Sequence, residues 1–265
     1  MHSAHHLRPG RTNTVKTLAG KRALVTGGSR GIGAATALML AEWGVNVAIG
    51  YLAREKDAKS VVSEAKKSGV RAHAIAADIS QHAGAERLVQ EATAKLGGLD
   101  LFIGNAGIWI AEEATLTTMG DEQWHRTMRQ NVDSMFFTTR AAARVLSDHG
   151  RIVLVSSTAG QRGEANHSDY AASKGAMISF VKSLCVELAS RDITVNAVAP
   201  GWVDTEMAAV PYAGGGRARI SAGIPLGRVA DARDVAGPIV FLCSSMARHI
   251  TGEIVNVNGG SVLPG

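Results

Sequence analysis

The sequence predicts an α/β fold: one doubly wound parallel sheet of about seven strands with helices on both faces. Three observations predict it. Short apolar runs of β character alternate with helical patterns along nearly the whole length. The first such run leads through a glycine-rich turn directly into a helix. No internal repeat, linker or change of composition divides the chain, so residues 18–265 read as one domain behind a polar leader, residues 1–17.

Composition narrows the function classes. The 265 residues, 46% hydrophobic and 19% charged, suit a folded globular chain rather than a disordered one. The longest apolar runs fall far short of the roughly 20 residues that a membrane span needs. The net charge of +5 comes without a basic run, so nucleic acid is not implied. A mild positive field suits a phosphate-bearing ligand or an acidic protein partner. The two cysteines, Cys185 and Cys243, lie in apolar, helix-like stretches. They read as buried free thiols of a reducing, cytoplasmic compartment, not as a disulfide or a metal site. The leader carries His2, His5 and His6 but lacks the apolar core of a signal peptide. It reads as a flexible leader or tag remnant rather than a metal-binding tract.

Residues 22–26 form the first strand, and Thr26-Gly27-Gly28-Ser29-Arg30-Gly31-Ile32-Gly33 opens the helix over 34–43. A strand, a glycine turn and a helix start make a phosphate site, because unpaired amide N–H groups and the helix dipole face the turn. Gly27 permits the sharp turn, Gly31 lets backbone approach a pyrophosphate, and Gly33 lets the helix sit close to the sheet. The second strand covers 45–49. An acidic residue at its end would bind a ribose 2′-hydroxyl and disfavour a 2′-phosphate. The sequence gives Gly50-Tyr51-Leu52-Ala53-Arg54 there, and Arg30 lies in the glycine loop. Both point to NADP(H), with NAD(H) as the alternative. Tyr51 stacks under an adenine or simply packs; Arg54 assists the phosphate or starts the next helix in solvent.

That helix covers 54–68, and the third strand covers 70–77. Asp78, followed by Ile79, reads as an adenine contact or as the cap of the third helix. Gly97 and Gly98 break that helix, and the fourth strand, 99–103, closes on Asn105-Ala106-Gly107. Asn105 reads as a structural hydrogen-bonding residue and Gly107 as a close approach to a cofactor. A long helix over 121–147 contains Asn131, a poor helix former that calls for a kink, a buried hydrogen bond or a proton relay. The fifth strand, 150–156, ends at Ser157, which can hydrogen-bond a substrate oxygen without being a nucleophile. In the helix over 169–190, Tyr170 and Lys174 leave one face a turn apart. The ammonium is expected to lower the phenol from roughly 10 toward working pH, making Tyr170 a general acid/base. Apolar residues, among them Ala171, Met177, Phe180, Leu184 and Leu188, surround this helix, so one side is assigned to the sheet and the other to a second subunit. A sixth strand, 193–198, turns away at Pro200-Gly201-Trp202-Val203-Asp204-Thr205. The segment 206–223 has no clear period and reads as a mobile lid. A helix over 231–245 and a strand over 254–257 complete the chain.

With these pieces in place, residues from about 18 to 260 resemble the short-chain dehydrogenase/reductase family. The matching motifs are Thr26-Gly27-x-x-x-Gly31-x-Gly33, Asp78, Asn105-Ala106-Gly107, Asn131, Ser157, Tyr170-x-x-x-Lys174 and Pro200-Gly201-x-x-x-Thr205. The resemblance implies a single Rossmann-type sheet in the order 3-2-1-4-5-6-7 and usually a homotetramer. It implies that Tyr170 is the general acid/base and that Ser157 orients a carbonyl. Lys174 would bind the nicotinamide ribose and lower the pKa of Tyr170, and Asn131 would hold a water in a relay. Thr205 would meet the carboxamide. Ser29, Arg30, Ile32, Tyr51, Ile79, Ala106, Pro200, Gly201 and Val203 would complete the cofactor wall. The Tyr–Lys separation argues against the enoyl-reductase branch. Residues 189–196, 250–253 and 258–260 look most like 3-oxoacyl-carrier-protein reductases. Arg191 matches a basic residue offered to the acidic carrier protein, whereas Asp148 stands where a second basic residue is expected. Trp109, His167 and Trp202 are expected to border the substrate pocket. The activity implied is NADPH-dependent reduction of a 3-oxoacyl thioester or small ketone by hydride transfer. The alternative is an NAD(P)-linked alcohol, sugar or polyol dehydrogenase, which the Gly50-Tyr51 stretch resembles. A non-catalytic NADP-binding regulator is the remote alternative, since such proteins often lose the Tyr or the Lys.

Overall fold

In β1 (Arg22–Thr26) Ala23 and Val25 face one side of a sheet and Leu24 the other, all three fully buried. A strand buried on both faces lies inside an α/β sandwich. The computed structural model describes residues 18–263, so the readings made for the leader lie outside the described residues. Within them β1 is followed by α1 (Gly31–Glu42), β2 (Asn46–Tyr51), α2 (Glu55–Lys66), β3 (Ala72–Ala76), α3 (His82–Leu96) and β4 (Leu99–Gly104). Then come α4 (Asp121–Met128), α5 (Ser134–Val145), β5 (Leu146–Val155), α6 (Thr158–Arg162), α7 (Ser168–Glu187) and β6 (Thr194–Pro200). The chain ends with α8 (Ala209–Tyr212), α9 (Gly216–Ala222), α10 (Ala232–Cys243) and β7 (Ile254–Val257). The seven strands are all parallel, in the order β3-β2-β1-β4-β5-β6-β7, as the resemblance implies.

Two apolar layers flank the sheet. One joins Ala23, Val25 and Ile49 to Leu40 of α1, Ala58 of α2 and Ile239 of α10. The other joins Leu24 and Phe102 to Leu88 of α3, Ala142 of α5 and Val181 of α7. The switch in strand order between β1 and β4 opens a crevice at the carboxyl ends of the strands, where such sheets bind ligands. Among the described residues no helix is long and apolar enough to cross a membrane.

Three elements differ from the sequence expectations. The helix expected over 121–147 is interrupted by a π turn, Arg129–Asp133, around Asn131. β5 starts at Leu146, four residues before the expected 150, because the chain passes directly from α5 and its pairing with β4 shifts register between Leu99 and Leu101. The segment 206–223 is a series of short helical turns, broken where Gly214 and Gly215 take positive φ of 58° and 82°. Cys243 is buried and Cys185 half-buried; both are free.

Candidate active site

The carboxyl ends of β1, β2, β4, β5 and β6 surround a cleft of about 450 Å³. Its floor begins at the glycine turn. Gly27 and Gly31 have positive φ of 64° and 54°, conformations that favour glycine. A Cβ on Gly33 would stand 2.3 Å from the Gly27 carbonyl oxygen and 2.5 Å from Asn105 Nδ2, so α1 is packed against the turn with no room for a side chain. Gly33 therefore stands behind the cleft wall, whereas Gly27, Ser29, Arg30, Gly31 and Ile32 line it. The Asn105 amide donates to the Thr26 and Gly27 carbonyls at 3.0 and 3.2 Å, and Thr26 Oγ1 accepts from the Asn105 and Ala106 N–H groups. Asn105 thus ties the end of β4 to the turn after β1, as the sequence suggests.

The far end of the cleft is lined by Tyr51, Arg54, Asp78 and Ile79. Asp78 accepts from the Ser80 N–H and hydroxyl at 3.0 and 2.6 Å, and α3 starts later, with Gln81 at its cap position. Asp78 therefore closes a local turn instead of capping the helix. Arg30 and Arg54 both reach Glu206, the latter at 3.0 Å.

At the other end Ser157 follows β5. Its Oγ accepts from the Ala159 N–H at 3.1 Å, capping α6. The Tyr170 phenol lines the same end of the cleft as Ser157. Burial pushes Tyr170 up to about 12, against the lowering effect of Ser157, and the nearby Glu164 charge pushes the same way as burial. This corrects the expected lowering by Lys174. The Lys174 ammonium lies 5.8 Å from the Tyr170 ring centre and donates to the Val155 carbonyl at 2.8 Å. Burial holds Lys174 itself down to about 8.

Asn131 does not line the cleft. It is fully buried, and its amide grips the backbone of Ile108 at both ends: Oδ1 accepts from the N–H at 2.7 Å and Nδ2 donates to the carbonyl at 2.9 Å. Nδ2 also donates to Ser173 Oγ at 3.0 Å. Of the reasons that the sequence demanded for this residue, the buried hydrogen bond is present, and the regular helix is interrupted here by the π turn. Thr127 Oγ1 donates to the buried Asp169 at 2.6 Å, fixing α4 to the start of α7. A Cβ on Gly107 would lie 3.1 Å from Asn131 Oδ1 and 3.4 Å from Lys174 Nζ, so these side chains converge beneath the cleft.

Ala106, Gly107, Trp109, Pro200, Gly201, Trp202, Val203 and Thr205 complete the lining. Trp109 meets Trp202 edge-on at 6.1 Å, and Trp202 meets Tyr212 at 5.9 Å. His167, expected at the pocket border, is buried behind Trp109 and stacks on it at 4.8 Å, so it backs the wall rather than lining it. Among the lining residues to which the sequence reading gave no role are two carboxylates, Glu164 and Glu206. Neither belongs to a motif; only the loop path brings them in.

The chemistry of the lining fits a phosphorylated dinucleotide. The amino end of α1 has no side-chain cap and no acidic residue in its first turn, leaving its N–H groups for an anion. Beside that amino end two guanidinium groups, Arg30 just before α1 and Arg54 after β2, share the Glu206 carboxylate.

The family model described as Enoyl-(Acyl carrier protein) reductase matches residues 27–261. The 3-oxoacyl-[acyl-carrier-protein] reductase FabG of Escherichia coli is 38% identical over 92% of this chain and 98% of its own. The chain belongs to the short-chain dehydrogenase/reductase family. Another relative, the hydroxynaphthalene reductase-like protein Arp2 of Metarhizium brunneum, is 39% identical over 94% of this chain and 97% of its own. The crystal structure of a short chain dehydrogenase from Burkholderia cenocepacia in complex with NADP superposes with a TM-score of 0.86 at 38% identity, covering 92% of this chain and 99% of that one. As a short-chain dehydrogenase/reductase the protein is an oxidoreductase.

Proposed function

We propose that the protein is an NADPH-dependent carbonyl reductase in which Tyr170 is the general acid. What carries the reading is that Ser157 and Tyr170 line one cleft beside a buried Lys174, with Arg30 and Arg54 further along it. The NADP complex of the Burkholderia relative supports the cofactor. Bound NADPH supplies the hydride equivalent. Gly27, Gly31 and the amino end of α1 would hold its pyrophosphate, Arg30 and Arg54 its 2′-phosphate, and Lys174 its nicotinamide ribose. Ser157 holds the substrate carbonyl oxygen and Tyr170 gives it a proton as negative charge develops there. The high pKa of Tyr170 keeps the phenol protonated at neutral pH, as the donor role requires. We assign the return of that proton to Lys174, with a pKa of about 8, through a water held near Asn131, whose side chain converges with Lys174 at Gly107.

The substrate we favour is a free ketone over a carrier-bound one. Arg191, the residue expected to greet the carrier protein, donates to Asp148 at 2.9 Å, to the Ala143 carbonyl at 2.7 Å and to the Leu146 carbonyl. Its charge is spent within the chain. Trp109 and Trp202 offer aromatic lining instead, in keeping with the name of the Metarhizium relative. Oxidation of a sugar or polyol remains the second reading, favoured by Glu164, a carboxylate in the cleft able to accept from substrate hydroxyls. The assembly we propose is a homotetramer, since Phe136 of α5 and Val186 of α7 are 39% and 75% exposed. The deciding experiment is Tyr170→Phe assayed on aromatic ketones, 3-oxoacyl thioesters and polyols. Loss of turnover with NADPH binding intact is expected; full activity would remove Tyr170 as the donor.

A further inference from the structure

Glu206 bridges two parts of the cleft that no motif connects. It is the first residue after Thr205, where the segment 206–223 begins. Its carboxylate pairs with Arg30, from the glycine turn, and with Arg54, from the loop after β2, at 3.0 Å. All three side chains line the cleft and are about half exposed, at 50%, 52% and 56% for Arg30, Arg54 and Glu206. Arg54 also meets Asp57 at 3.6 Å. The rest of the segment is tied to its own base: Arg217 pairs with Asp204 at 2.6 Å, and the Tyr212 hydroxyl donates to the Val203 carbonyl at 3.1 Å. Glu206 is thus the residue through which the segment reaches the glycine turn and the end of β2. The base of the segment lies against the same turn, for a Cβ on Gly31 would stand 3.3 Å from Thr205 Cγ2.

We propose that Glu206 sets the cofactor preference by competing with the 2′-phosphate for Arg30 and Arg54. The proposal rests on the dinucleotide reading of the cleft. Two guanidinium groups present planar donor forks that suit a phosphate monoester. A single carboxylate occupies the same donors with less charge. A ligand with a 2′-phosphate must displace Glu206 and frees the start of the 206–223 segment as it does so. A ligand with a 2′-hydroxyl leaves Glu206 paired. Because the pairs are exposed, they are weak, and their loss costs the phosphate ligand about three- to tenfold in affinity without blocking it.

The test is calorimetric titration of the full chain with NADP+ and with NAD+, for the parent, Glu206→Gln, Arg54→Gln and the double variant. Glu206→Gln is expected to tighten NADP+ by about three- to tenfold and to leave NAD+ within about twofold. Arg54→Gln should weaken NADP+, and in its background the gain from Glu206→Gln should fall by half or more, since one of the contested partners is gone. Equal affinity of the parent for the two dinucleotides would overturn the cofactor reading and this proposal with it. A parent that prefers NADP+ while Glu206→Gln leaves its affinity unchanged or weaker would overturn the proposal alone.

Discussion

Replacing Lys174 by methionine should make the protein more stable and inactive at once. Lys174 is 4% exposed; its ammonium donates to the Val155 carbonyl at 2.8 Å and touches Met177 Sδ at 3.8 Å. Burial lowers it from its ordinary 10.5 to about 8, and at about 1.4 kcal/mol per pKa unit the folded state carries a cost of about 3 kcal/mol. Methionine keeps the length and removes the charge. It also removes the donor to Val155, a loss of about 1 kcal/mol. The expected net gain is about 2 kcal/mol at pH 7. The pH dependence fixes the sign. The lysine pKa is lower in the folded than in the unfolded state, so between about pH 8 and 10.5 the unfolded chain binds more protons. Stability of the parent therefore rises through that window relative to the variant. The gap is full below pH 8; by about pH 10.5 the charge cost is gone, only the lost donor remains, and the order of stability reverses. Tyr170 titrates in both proteins and cancels. Urea unfolding at pH 7 and pH 10 measures the gap. A variant less stable than the parent at pH 7, or a gap equal at both pH values, would refute the reasoning.

Three other outcomes follow from the geometry. Gly33→Ala would force a Cβ to within 2.3 Å of the Gly27 carbonyl oxygen, so α1 must shift; dinucleotide binding should fall at least about tenfold in calorimetry, with destabilisation of about 1–3 kcal/mol. Asn131→Ala strips the Ile108 N–H and carbonyl of their partners. A loss of about 2–4 kcal/mol in urea unfolding is expected, with a reduced kcat as the support beneath Lys174 loosens. For the proposed assembly, light scattering at micromolar concentration should report a tetramer, and Phe136→Glu should shift it to smaller species; a monomeric parent would refute that assembly.

The sheet was legible because each strand is a short apolar run followed by a turn, and strand β7 falls on the predicted residues, 254–257. The cleft lining was legible wherever glycine or a motif carries it, as at Gly27, Gly31 and Gly107. Pair electrostatics were less so. Spacing placed Lys174 a turn from Tyr170, but spacing holds no information on burial, which raises the phenol and lowers the ammonium. Asn131 announced itself by its poor helix propensity, yet the π turn that accommodates it depends on Ile108, a partner from another element. His167 reads as a pocket residue by position, and only packing puts Trp109 in front of it. Glu206 was invisible because its two partners lie far off in the chain, on separate loops.

The π turn also bears on the length of this part of the chain. Each residue of an α-helix advances the chain by about 100° around its axis. The surplus residue housed in Arg129–Asp133 is taken up by a wider turn, so α4 and α5 keep close to the phase of one continuous helix. Deleting one residue there would let regular helical bonding resume with Thr127 still near Asp169 and Met135 and Ala142 still in the interior. What would be lost is the place of Asn131 opposite Ile108. Along this stretch the extra length serves one buried amide, not the packing of the two helices around it.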